Sequence, residues 1–303
     1  MAPVGRYSIG IKRFPTSRAL SAVFALVAAF ACAQSGPAKP AQAIKPRHIM
    51  SMNMCNDLIL LMLVPRERIA SVTYLAHDAV DALMPGRDRG IAINHGTAED
   101  IVVQKPDLIL ASPWSTPTAR RLARMVGAPI VEVEAANDFE AIRRVVRQIG
   151  AAVGEPDRAE RLVRDMNNEL NDLAKRHRSK PLRVVAWTGD GSVPGRGTLT
   201  DAIITAAGGI NIAAKRMDDR ASSFGLEELL TARPDAIMQG VGLYTGPSLR
   251  DTRARHPLIG RLFAGRQIDY PDAGYTCGLP QSALAARQLA DAFARVPRAE
   301  VRW

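Results

Sequence analysis

Short aliphatic runs alternate along this chain with stretches whose apolar positions recur every third or fourth residue, and the alternation starts twice. The first start predicts a strand at Arg47–Met52, a short helix at Cys55–Leu63 that ends before Pro65, and a strand at Arg68–Thr73. The following "YLAHDAVDALMPGRDRGIAINHG" is rich in Gly, Asp and His and reads as a loop with one helical turn. A helix over Ala98–Val103, a turn at Lys105-Pro106-Asp107 and a strand at Leu108–Ala111 come next. Helix Thr118–Gly127, closed by its glycine, and strand Pro129–Val133 complete the set. Strands alternating with helices predict a parallel, doubly wound sheet.

Two helical segments then follow with no strand between them, Asp138–Gly154 and Glu155–Arg178. In the second, Pro156 takes a permitted helix-start position, and Leu162, Met166, Leu170 and Leu173 form one apolar stripe on a charged helix. Such a helix spans roughly 35 Å, which suits a connector between lobes. The α/β pattern restarts with strand Leu182–Trp187, a Gly-rich loop and helix Thr198–Gly209. Helix Leu226–Thr231 and strand Asp235–Met238 come next, "HPLIGRLFAGRQIDY" supplies a turn and a short strand, and Leu279–Val296 closes as an amphipathic helix. The expected fold is α/β, with two Rossmann-like lobes of parallel sheet joined by one long helix. The expected divisions are 1–43 (leader and linker), 44–153 (first lobe), 154–180 (connector) and 181–303 (second lobe).

The two halves share a phrase. "EDIVVQKPDLIL" from Glu99 and "EELLTARPDAIM" from Glu227 each open on Glu, reach a basic residue and turn at Pro-Asp into an apolar strand. Equivalent helix-turn-strand units in two α/β lobes explain the aliphatics and the Pro-Asp. The glutamates have a simple rationale of their own, because a carboxylate at a helix start is favoured by the helix dipole.

Length and charge narrow the class. A chain of 303 residues suits two domains of ordinary size, and apolar content of 47% excludes a disordered chain. The formal charge of +10 is concentrated at the start: residues 1–43 carry Arg6, Lys12, Arg13, Arg18 and Lys39 with no acid. The remaining basic residues are scattered among acids without a stripe, which argues against nucleic acid as a partner. Those early charges lead into "ALSAVFALVAAFACA", too short for a comfortable membrane span, and then into Ala31-Cys32-Ala33 and Ala41-Gln42-Ala43. Both triplets fit signal-peptidase sites, so the chain is expected to be exported to the periplasm. Cys32 also weakly resembles a lipoprotein acylation site. Cleavage at either site leaves Cys55 and Cys277, which in an oxidising compartment are either a disulfide or two separate thiols.

Motifs for catalysis are sparse. "WTGDGSVPGRG" (Trp187–Gly197) lies between a strand and a helix, but its glycines do not form the dinucleotide fingerprint and no P-loop Lys-Ser/Thr pair is present. The five histidines lack metal-ligand spacing. An exported enzyme or redox protein using the loop 189–197, or Cys55 as a helix-start nucleophile, is the alternative reading. More informative are the polar and aromatic residues at predicted strand C-terminal ends, where open α/β sheets bind ligands. They are Asn53, Cys55, Tyr74, His77, Asn94, His95 and Trp114 in the first half. In the second half they are Trp187, Arg196, Phe224, Tyr244 and Tyr275. Aromatics with a few polar groups suit a bulky, partly planar ligand.

In order, "SMNMCNDLILLMLVPRERIASVT", "EDIVVQKPDLILA", the long middle helix, "TLTDAIITAAGGIN" and "EELLTARPDAIM" resemble the periplasmic binding proteins of ABC importers for vitamin B12 and ferric siderophores. The similarity runs from about residue 46 to 296. It implies two lobes on one rigid helix, a metal chelate held between them without catalysis, and a monomer that docks on a permease dimer. The chelate would be a corrinoid, a ferric siderophore or haem, and Arg196 would suit an anionic one. By the same resemblance Glu99 and Glu227 would each meet one permease subunit. The cleft departs from B12-binding relatives, which carry several tryptophans where this chain offers Asn94, Trp114, Phe224 and Tyr275. Cys55 and Cys277 are not the pair expected of the B12 relative, and a bridge between them would tie the lobes together at the ligand's edge.

Overall fold

The computed structural model describes residues 45–114, 117–176, 180–187, 192–216, 221–241 and 256–297. The expected leader, its cleavage sites and Cys32 lie outside these residues, as do Gly189, Gly191 and Tyr244.

The first sheet holds β1 (Ile49–Ser51), β2 (Ile69–Thr73), β3 (Ala92–Asn94), β4 (Leu108–Ala111) and β5 (Ile130–Glu132). All its pairings are parallel, in the order β3-β2-β1-β4-β5. Helices α1 (Met54–Leu63), α2 (Ala76–Leu83), α3 (Ala98–Gln104) and α4 (Pro117–Met125) connect the strands. The stretch from Tyr74 to Gly96, expected as a loop, contains α2 and β3. Ala76, Ala79, Val80 and Leu83 fall at helical spacing, and the first three are buried; the Asp and His between them hide that stripe in the composition.

Two antiparallel helices follow, α5 (Phe139–Ala152) and α6 (Pro156–Lys175). Their crossing is close at Gly150, where an added Cβ would lie 2.4 Å from the Ala159 Cβ. The 20 residues of α6 reach about 30 Å.

The second sheet is built from β6 (Arg183–Ala186), β8 (Ile210–Asn211), β10 (Ala236–Val241) and β11 (Gln267–Pro271), parallel throughout, in the order β11-β10-β6-β8. A small antiparallel pair, β7 (Ser192–Pro194) with β9 (Ala221–Ser223), stands beside it. Helices α7 (Leu199–Ala206), α8 (Ala213–Arg216), α9 (Leu226–Ala232), α10 (Pro257–Leu262), α11 (Ala273–Thr276) and α12 (Ser282–Arg295) complete this half. The segment expected as a turn before the last strand is α10. His256 accepts from the Leu258 amide at its start and Pro257 presets the first helical φ.

Strand periodicity divides the core into three layers. In the first sheet Ile49, Val72, Leu108 and Leu110 point inward, while Met50, Ile109, Ala111 and, at a register shift between β1 and β2, Ala70 pack outward with Ile101 of α3 and Ala123 of α4. In the second, Val184, Ala186 and Met238 point inward, while Val185 and Ile237 pack outward with Leu229, Ile259 and Phe263. The two inward faces belong to one hydrophobic cluster, joined through α1, α5, α6, α7 and α12. A partly buried ion pair between Glu169 and Arg287 also links α6 to α12. No helix among the described residues is long and apolar enough to cross a membrane.

Candidate functional site

The repeated phrase has an exact counterpart in backbone geometry. Helices α3 and α9 end on Lys105 and Arg233, both left-handed at φ 46° and 45°. Each following Asp reaches sideways to the chain entering its sheet. Asp107 accepts from the Arg47 and His48 amides, and Asp235 accepts from the Arg183 amide. Each Asp also donates its own backbone N–H back, to His48 O and Arg183 O. The Pro-Asp turn therefore fastens the start of the first strand of each lobe. Glu99 and Glu227 occupy matching second positions of α3 and α9, both exposed.

At the C-terminal edge of the first sheet, local bonds build a shelf. Asn53 caps α1, its side-chain oxygen accepting from the Cys55 and Asn56 amides. Buried Asn94 donates to Ser51 O and to Ser71 Oγ, and accepts from the Gly96 amide. Thr97 and Asp100 form a capping box on α3, and Asp100 also accepts from the His95 amide. Partial burial raises the Asp100 carboxyl, but the bonds from His95 and Thr97 outweigh it and leave its pKa below the ordinary value. So held, His95 stacks on Tyr74, ring centroids 5.2 Å apart at 25°. Tyr74 is 54% exposed and His95 is exposed as well. Trp114, beyond β4, is 87% exposed. His77 stands apart on α2, engaged with Asp88.

One participant escaped the sequence reading. Asp57, fully buried in the first turn of α1, accepts from both the amide and the hydroxyl of Thr73, the residue before Tyr74. Burial pushes its carboxyl up to about 7 against the opposing hydrogen bonds from Ser51 and Thr73. The available signal was a single Asp four residues beyond an Asn cap, just before the aliphatic run of the helix.

The second lobe treats its aromatics differently. Trp187 and Phe224 are buried in the outward core, and the Trp187 indole N–H donates to Phe224 O. Tyr275 is buried against Tyr270, ring centroids 4.3 Å apart. Burial, with Tyr270 beside it, pushes the Tyr275 phenol up. Arg196 is exposed and donates to Ala214 O. Thus Tyr74, His95, Trp114 and Arg196 face solvent, whereas Asn94, Trp187, Phe224 and Tyr275 serve the framework.

The lobes meet at this edge. Cys55 and Cys277 form a disulfide, with an S–S distance of 2.03 Å. Next to it Gly278 passes so near Ala136 that an added Cβ would lie 2.2 Å from the Ala136 carbonyl oxygen. Bridged sulfurs provide no nucleophile, so a Cys55-based reaction has no thiolate here. What the edge offers is a π-face with two groups able to ligate a metal, a phenol and an imidazole.

A sequence profile of the periplasmic binding protein family matches residues 55–241. No curated protein matches the sequence. Among solved structures, the periplasmic haem-binding protein RhuT from Roseiflexus sp. RS-1, in apo form, is 25% identical with a TM-score of 0.66. That match covers 82% of this chain and 97% of RhuT. The periplasmic haem-binding protein HutB of Vibrio cholerae is 18% identical with a TM-score of 0.67, over 81% of this chain and 98% of its own. The vitamin B12-binding protein BtuF of Vibrio cholerae is 18% identical with a TM-score of 0.63, over 84% and 99% respectively. The latter two are likenesses of fold. Since the profile spans more than half of the 303 residues and the two-sheet architecture agrees with it, this chain belongs to the periplasmic binding protein family.

Proposed function

We propose that this chain is a non-catalytic carrier that captures a metal chelate between its lobes in the periplasm and delivers it to the permease dimer of an ABC importer. The leader in residues 1–43 would direct export. The lobes would be 44–153 and 181–303 with 154–180 as connector, and the chain would work as a monomer. Of the three chelate classes, haem is favoured. The observation carrying this choice is the exposed Tyr74–His95 stack, which pairs a flat contact surface with phenol and imidazole, both known haem-iron ligands. The likeness to a haem binder from Roseiflexus supports it. A corrinoid is the second reading, favoured by the likeness to BtuF. A ferric siderophore is the third reading, to which the exposed Arg196 would offer its charge.

Titration of the purified protein with haem, cobalamin and ferric siderophores, followed by absorption spectra and thermal shift, tests the reading. Haem should bind saturably, and Tyr74→Ala and His95→Ala should alter its Soret band and weaken binding. Saturable cobalamin binding without haem binding would transfer the assignment to the corrinoid. Failure of all three classes would refute it.

A further inference from the structure

Beyond the stacked pair, α2 and the loop after it bring together an imidazole and two carboxylates. His77 and Asp81 are four residues apart on α2, with Nε2 3.6 Å from Asp81 Oδ2. On its other side Nδ1 is 2.9 Å from Asp88 Oδ2. One ligand atom from each residue lies within 4.8 Å of the other two. Asp88 does not reach the imidazole from a loose strand of chain. The loop is closed by bonds from Arg87 N to Met84 O and from Ile91 N to Asp88 O, with left-handed glycines at 86 and 90. The Arg87 guanidinium anchors it to Leu61 O of α1. The Asp88 side chain is mostly covered, while His77 and Asp81 are open to solvent, leaving room for water in the remaining positions.

We propose that His77, Asp81 and Asp88 form a divalent-cation site on the first lobe, of the nitrogen-and-oxygen type that suits zinc(II), completed by water. One imidazole with two carboxylates is a borderline donor set, without the thiolates that would select copper(I) or an all-oxygen shell that would select magnesium or calcium. The site has a mechanical meaning. Helix α2 begins two residues after Tyr74, and the loop runs into β3, which leads to His95. A bound cation would therefore cross-link the two segments that flank the stacked pair. The inference does not depend on which chelate the protein carries.

The test is calorimetric titration of tag-free, chelator-treated protein with zinc chloride near neutral pH, with magnesium chloride as control. The expected result is one saturable zinc site, a raised melting temperature, and no magnesium binding at the same concentrations. His77→Gln and Asp88→Asn should each weaken zinc binding by about tenfold or more, as loss of a direct ligand demands. His95→Gln, which removes the other exposed imidazole of this lobe edge, should leave zinc binding unchanged. His77 is exposed, so its variant decides the matter should Asp88→Asn fold poorly. No saturable zinc binding by the unsubstituted protein, or undiminished binding by His77→Gln, overturns the proposal.

Discussion

Removing the Cys55–Cys277 link is the most direct way to measure how firmly the halves are held. The two cysteines are 222 residues apart in sequence, and the crosslink reaches from the first turn of α1 to the end of α11. Closing an unfolded loop of that length removes chain entropy worth about 5 kcal/mol at 25 °C. Residual compactness of the denatured chain reduces this, so a loss of about 3–5 kcal/mol is expected. Cys55→Ser with Cys277→Ala is the appropriate double variant, because Cys277 is buried and a hydroxyl there would add its own cost. Equilibrium guanidinium denaturation followed by far-ultraviolet circular dichroism should show a lower midpoint and a larger m-value, since the unlinked chain exposes more surface. Wild-type protein in excess dithiothreitol should reproduce the variant's curve. A stability change under about 1 kcal/mol with an unchanged m-value would refute the entropic account. A variant less stable than the reduced wild type would assign the effect to side-chain packing.

Other perturbations address separate parts of the molecule. Because Asp57 has its pKa raised from 3.8 to about 7, its contribution to stability is full below the unfolded pKa and fades as pH rises through 7. Relative to Asp57→Asn, the wild type should lose on the order of 4 kcal/mol between those limits; parallel pH profiles in denaturant melts would contradict this. Gly278→Ala should lower stability by about 1–3 kcal/mol through the clash with the Ala136 carbonyl, and a melting temperature equal to wild type would show that the segment yields. Under the docking proposal, Glu99→Arg with Glu227→Arg should abolish uptake in cells while chelate affinity in vitro stays unchanged. Uptake at the wild-type rate would remove both residues from that role.

Much of the architecture was legible because strand and helix periods differ. The two βα series, the middle helices and the twin Pro-Asp turns all follow from spacing. The turns had an added structural duty, since Asp107 and Asp235 each secure the start of another strand. Composition misled where Gly, Asp and His dominated, concealing α2 and β3, and α10 was too short for its period to stand out against its prolines and glycines. The pair β7 and β9 joins residues such as Val193 and Ser222, too far apart in sequence for any local pattern. Strand-end position placed Tyr74 and His95 at the sheet edge but could not separate these exposed rings from the buried Trp187, Phe224 and Tyr275. An aromatic at a strand end can turn outward or fold back into the core, and that choice is made by neighbours distant in sequence. Asp57 was passed over for the same reason: its meaning depends on Thr73, contributed by β2.

The apolar cluster shared by both sheets sets a limit on breathing. Wetting even about 400 Å² of it would cost about 10 kcal/mol, so a gaping form would be a vanishingly rare excursion at equilibrium. Empty and filled molecules should therefore present nearly the same silhouette. Under the proposed carrier function, a downstream receiver would have to sense the cargo at the rim.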